Sequence, residues 1–128
     1  MVNFLNSTKI VAVMLVFAVP AARAAEGDAD RGAAIFDDIC ADCHTITKGG
    51  TNHRGPNLFG VFGKPAGQVP NFVYSDANRG SHAVWNAATL EVYLTEPRTF
   101  MPGTNMKFKG LPAPDDRADV IAFLASMK

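Results

Sequence analysis

Cys40-Ala41-Asp42-Cys43-His44 is the stretch on which the reading of this chain turns. Two thiols separated by two residues, with an imidazole directly after the second, form the attachment pattern for c-type haem. The spacing has a chemical cause. Residues three apart on a helical turn lie on one face, one above the other. Two thiols placed that way can each add to one vinyl group of the same porphyrin. The two thioether bonds then lock the ring against the helix. His44 is held under the iron, where a neutral imidazole nitrogen is a good ligand. A redox disulfide would call for a strand-helix-strand context, and half a zinc site would need a second ligand pair. The chain has only two cysteines. Neither of those readings, nor a plain structural disulfide, explains why His44 follows at once.

Upstream of the pattern, Asp28 is a good N-cap for a first helix. Gly32, Phe36, Ile39, Cys40 and Cys43 recur at three- or four-residue spacing and so share the face that carries the thiols. A glycine inside a helix costs about 1 kcal/mol relative to alanine, which is tolerable where another backbone must pass close by. The partner is the last helix. Asp115 or Asp116 caps it, and Val120, Ile121, Phe123, Leu124 and Met127 form its apolar stripe. The two terminal helices are predicted to cross at Gly32 and Phe36.

Between them, a helix is predicted over Ala87 to Thr95, capped by Asn86 and stopped by Pro97, because the residue before a proline is pushed out of the helical region. A shorter helical turn is predicted near Asp76 to Asn78. Residues 45–75 read as loop, punctuated by Gly49-Gly50, Gly55-Pro56, Gly60, Gly63, Gly67 and Pro70, with little of the alternation a strand needs. The fold class is therefore all-α, with loops wrapped around one covalent haem.

The N-terminus reads as an export signal. Lys9 precedes the apolar run Ile10–Val19, Pro20 ends it, and Ala22-Arg23-Ala24 places small residues where a signal peptidase reads them. The run is too short to span a bilayer. Cleavage is expected after Ala24, with Ala25 as the alternative, leaving residues 25–128 as a single domain. A periplasmic location follows from that reading. The whole chain has 12 basic and 12 acidic residues, and the leader takes away Lys9 and Arg23 but no acid, so the remainder carries a formal charge of −2. That excludes a strongly basic nucleic-acid binder. Nothing here calls for stable membrane insertion, and a monomer is expected.

The second axial ligand decides what the haem does. Met101, Met106, Met127, His53, His82 and the lysines are the candidates. Met127 belongs to the stripe of the terminal helix. Met101 and Met106 flank Pro102-Gly103-Thr104-Asn105, a turn able to present one thioether to a metal. The residues alone leave these two open.

The chain resembles class I cytochrome c, the family of mitochondrial cytochrome c and its short bacterial periplasmic relatives. The matching segments are Gly27-Asp28 through Gly32 and Phe36, Cys40 to His44, and Thr45 to Gly50. They continue with Gly55-Pro56-Asn57-Leu58, Gly67-Gln68, Tyr74 to Asn78, Trp85, Tyr93-Leu94, Pro102 to Met106 and the final helix. The resemblance implies a small cytochrome c fold with Cys40, Cys43, His44 and Met106 binding one haem c, and His44 and Met106 as the iron ligands. It also implies that the Pro56 carbonyl orients His44, and that Tyr74, Trp85 and Thr104 serve the propionates. Asn78 and Tyr93 would order the Met106 side. Lys64 stands where the family commonly has an arginine near the inner propionate, and a lysine is a point charge without the fork. Arg98, Thr99 and Asn105 stand where mitochondrial members carry lysines.

An iron held by imidazole and thioether has no open position, and such ligation raises the potential. The function implied is a diffusible one-electron carrier, not an enzyme. It would run between membrane-bound redox complexes: a cytochrome bc-type donor and an oxidase, reaction-centre or reductase acceptor. Arg98, Lys107, Lys109, Lys48 and Arg54 are candidates for a weak basic ring where partners dock. The rival is a five-coordinate haem peroxidase or gas-binding sensor, which requires Met106 to be off the iron.

Overall fold

The computed structural model describes residues 26–128, so the expected leader and its cleavage position lie outside the described residues. Among those residues the elements in chain order are α1 (Ala29–Ile35), a π-helical turn (Phe36–Cys40), α2 (Asp76–Arg79), α3 (Ala87–Thr95), α4 (Pro97–Phe100) and α5 (Pro114–Ser126). Strand pairing there is limited to one isolated antiparallel bridge, Pro65 with Val84. No helix among the described residues is long and apolar enough to cross a membrane.

Asp28 caps α1 as expected, its carboxylate accepting from the Asp30 and Arg31 N–H groups. α1 packs on α5 more extensively than any other pair of elements does. The crossing falls where the sequence placed it. A Cβ on Gly32 would stand 2.8 Å from Phe123 Cβ and closer still to the Asp119 carbonyl. The Phe36 and Phe123 rings meet with centroids 5.5 Å apart. A polar clasp, not foreseen, reinforces the contact. Buried Asp119 accepts from the Asp28 N–H at 2.6 Å and from Arg31 Nε at 2.8 Å.

Two expectations about these helices are corrected. α5 has no side-chain cap: Ala113 is its N-cap, Pro114 opens it, and Asp115 and Asp116 lie in its first turn. Proline has no N–H to satisfy and its φ suits a helix start, while the acids complement the helix dipole. The face shared by Gly32 through Cys43 is also interrupted. At Phe36 the helix widens, and the Ala41 N–H reaches the Phe36 carbonyl five residues back. This shifts the register just before the thiols, and Ile39 is left 40 % exposed.

α3 spans the predicted residues, with the Asn86 side chain accepting from the Thr89 N–H at 2.9 Å. Glu96 turns extended ahead of Pro97, as a pre-proline residue should. Pro97 does more than stop α3, because it occupies the first turn of α4. The predicted turn near Asp76 is α2, capped by Ser75. Residues 45–75 are loop. Buried Asn57 holds them, its amide donating to the Thr47 carbonyl at 2.9 Å and the Gly50 carbonyl at 2.8 Å.

Candidate functional site

The loops and helices enclose a cavity of about 670 Å³, a size typical of cofactor sites. Cys40, Cys43, His44 and Met106 all line it. Burial, and secondarily the neighbouring Cys43, push the Cys40 thiol up to about 11, so it stays protonated and uncharged in the unmodified chain.

His44 is fixed by two contacts. Its Nδ1 lies 2.8 Å from the Pro56 carbonyl. A carbonyl can only accept, so Nδ1 carries the proton and Nε2 keeps its lone pair. That is the tautomer a metal-binding imidazole needs, oriented in the usual way. Gly55, the residue before Pro56, also abuts the ring, where a Cβ would stand 2.6 Å from Nδ1. Burial holds the imidazole below its ordinary value, with the Pro56 bond acting the other way, so the neutral ring is favoured.

The methionine loop brings a thioether to the same cavity. Met106 Sδ accepts from the Tyr93 hydroxyl at 3.0 Å. Thr104 Oγ1 accepts from the Met106 N–H and donates to Asn78 Oδ1, each at 3.3 Å. Tyr93, on α3, packs at a tilt against Trp85, with ring centroids 4.7 Å apart. Burial pushes its hydroxyl up to about 12, so it remains a donor. Met101 is elsewhere: it is a core residue, 4 % exposed, and does not line the cavity. Met127 is the C-cap of α5 and packs against the core. His53 and His82 are exposed.

Tyr74 and Trp85 line the same cavity. The Tyr74 oxygen accepts from the Val69 N–H at 3.2 Å, which leaves its own O–H for a carboxylate. Lys64 does not line this cavity. It lies on a second one, of about 840 Å³, which shares Tyr74 and Trp85 as a common wall. Arg54 and Lys107 line the main cavity, but so does Asp42, so the charge around it is mixed.

The family profile described as Cytochrome c matches residues 29–128. The chain belongs to the cytochrome c family. It is 50 % identical over 99 residues to a cytochrome c of Theileria parva, covering 77 % of this chain and 85 % of that one. It is 47 % identical over 103 residues to a cytochrome c of Chlamydomonas reinhardtii, covering 80 % and 92 %. A cytochrome c of Stellaria longipes is 48 % identical over 99 residues, covering 77 % and 92 %. Family and cysteine pair together make this a haem c protein with iron, and an electron carrier, not an enzyme. The residues present fit that group: two thiols, a tautomer-fixed imidazole and a thioether converge on one largely apolar cavity.

The relatives correct one expectation. They come from eukaryotes, an apicomplexan, a green alga and a flowering plant. A eukaryotic cell has no periplasm, so the bacterial, periplasmic setting inferred from the N-terminus does not stand. The physical reason is simple. A basic residue, an apolar run and small residues describe a leader by composition, and composition does not name a compartment.

Sequence reading also missed residues. Gly55 was visible only as part of a motif, and its contact with the His44 ring needs the tertiary structure. Arg117 bonds Glu91 and two loop carbonyls. It had a signal: it precedes Val120 and Ile121 by three and four residues, which puts a charge on an apolar face.

Proposed function

We propose that Cys40 and Cys43 form the two thioether bonds of one haem, that His44 and Met106 are its axial ligands, and that the working unit is residues 25–128 after loss of a leader. The observation that carries this reading is the pairing of an oriented imidazole with an oriented thioether on one cavity. His44 is held by Pro56 at 2.8 Å, and Met106 is held by Tyr93 at 3.0 Å.

The haem supplies one-electron chemistry by cycling between ferrous and ferric. The chain's own residues keep that cycle simple. His44 stays neutral with Nε2 available. Tyr93 holds the Met106 sulfur in place. The apolar wall, including Leu90, Leu94 and Val120, excludes water. With His44 and Met106 both holding the iron, peroxide and diatomic gases would find no open site, which opposes the peroxidase or sensor alternative. Among the described residues, His44 is the only histidine lining the cavity. The carrier works as a monomer between membrane-bound complexes, taking electrons from a cytochrome bc-type donor and passing them to an oxidase, reaction-centre or reductase acceptor.

The optical spectrum of the purified haem-loaded protein tests the ligand set. A low-spin spectrum with the weak far-red sulfur-to-iron band in the ferric form is expected. That band should vanish in Met106→Ala and survive in Met101→Leu. A high-spin spectrum that shifts with carbon monoxide would overturn the assignment.

A further inference from the structure

Arg117 is a buried cation that the electron-carrying site does not itself use. It is 8 % exposed and lies on α5. Its Nη1 donates to the Leu111 carbonyl at 2.7 Å and to the Pro112 carbonyl at 3.0 Å. Its Nε donates to Glu91 Oε1 at 2.7 Å, and Nη2 lies 2.7 Å from the same oxygen. Glu91 is on α3, two residues before Tyr93, whose hydroxyl donates to Met106 Sδ. One guanidinium thus joins α5, α3 and the chain that leaves Met106.

The same segment touches α3 at two more points. The Leu111 N–H donates to the Leu94 carbonyl at 2.7 Å. Gly110 has φ +111°, and a Cβ there would stand 2.9 Å from the Leu94 oxygen. The segment after Met106 is therefore clamped against the helix that carries the sulfur's hydrogen-bond donor. A planar guanidinium fixes several acceptors at once, which a point charge cannot do. Burying it is favourable only while those acceptors are met.

We propose that Arg117, with Glu91, is a positioning residue that holds residues 107–112 on α3 and so keeps the Met106 thioether on the iron against competing ligands. The inference rests on Met106 being the distal ligand. Without the clamp, the Leu111 amide, the fit of Gly110 and a 3.4 Å bond from Arg98 Nη2 to the Lys107 carbonyl are left to hold the segment. The loop then opens more often, and a small ligand enters at lower concentration.

The test is a titration of the ferric, haem-loaded protein with imidazole, following the far-red sulfur-to-iron band. Arg117→Met, Arg117→Lys, Glu91→Gln and an Ile121→Val control are compared, each also unfolded in guanidinium chloride. In Arg117→Met the half-displacing imidazole concentration should fall about tenfold, the scale of losing hydrogen bonds from a charged donor. Glu91→Gln should shift less, and Arg117→Lys should recover only part of the loss. The control, which alters the core of α5 away from the loop, should stay within about twofold at a comparable loss of global stability. Should Arg117→Met not fold, Glu91→Gln carries the test, its side chain being 43 % exposed. Equal shifts in Glu91→Gln and the control would overturn the positioning role while leaving Met106 ligation intact. Absence of the band in the unsubstituted protein would overturn the ligation, and the positioning role with it.

Discussion

Replacing Gly32 by alanine sets two opposed effects of known size against each other. Alanine gains roughly 1 kcal/mol of helix propensity over glycine. Against this, the new methyl would stand 2.8 Å from Phe123 Cβ and closer to the Asp119 carbonyl. The nearer obstacle is backbone, so no rotamer change relieves it, and α1 and α5 must move apart. A gap of roughly 0.5–1 Å forfeits about a quarter to a half of the dispersion attraction across it. The contacts at stake belong to Phe36 and Val120, each 1 % exposed, and to Phe123. Overpacking of this kind costs about 1–3 kcal/mol, and a backbone obstacle places Gly32→Ala near the upper end. The net is a loss of about 2 kcal/mol. With a denaturant slope of roughly 3 kcal/mol per molar in guanidinium chloride, the midpoint of the haem-loaded protein should fall by about 0.7 M. Gly32→Leu should fall further. Far-UV circular dichroism reads the transition directly. An unchanged or raised midpoint for Gly32→Ala would show that propensity wins and that the close crossing of the terminal helices is not what requires glycine here.

Tyr93→Phe removes the hydroxyl that donates to Met106 Sδ at 3.0 Å. A donor to the sulfur withdraws electron density, so its loss should lower the reduction potential by up to about 40 mV, the worth of one hydrogen bond for a one-electron couple. Equilibrium redox titration checks the sign, and a rise would contradict the argument. Gly55→Ala places a methyl against the His44 ring, 2.6 Å from Nδ1, and should break the Pro56 bond. A smaller low-spin fraction is the expected result, and an unaltered spectrum would show that the ring has room to yield. The Arg31 hydrogen bond, and then the Asp28 amide, hold the Asp119 carboxyl below its ordinary value of 3.8. That contribution is full above the unfolded-state value and is lost as pH falls through the lower native one. Asp119→Asn should flatten the fall in unfolding midpoint on the acid side of 3.8. Parallel curves for the two proteins would mean the clasp carries no proton linkage.

The candidate site was unusually legible because covalent chemistry demands adjacency. Two thiols and an imidazole that are to serve one porphyrin must be neighbours in sequence, so the pattern Cys40 to His44 is readable without any tertiary information. Helix caps were legible for the same local reason: Asp28 and Asn86 act on N–H groups two or three residues away. α5 departed from the expected cap because Pro114 opens the helix before the acids, which places Asp115 and Asp116 inside its first turn. The π-helical turn at Phe36–Cys40 had no signal in an apolar period too short to separate 3.6 from a wider turn.

What the sequence by itself determined is the all-α class and the crossing at Gly32 and Phe36. Each follows from contacts or spacings within one or two helical turns. The resemblance already pointed to Met106, and what only the tertiary structure shows is the physical reason that this methionine, and not Met101, faces the cavity. Met101 and Met106 flank the same turn and look alike in sequence. Met101 is taken into the core, while Met106 is aimed by Tyr93, thirteen residues away on α3. Three separated segments, 91–94, 107–112 and Arg117, meet beside that loop, and no local pattern records contacts made across such distances.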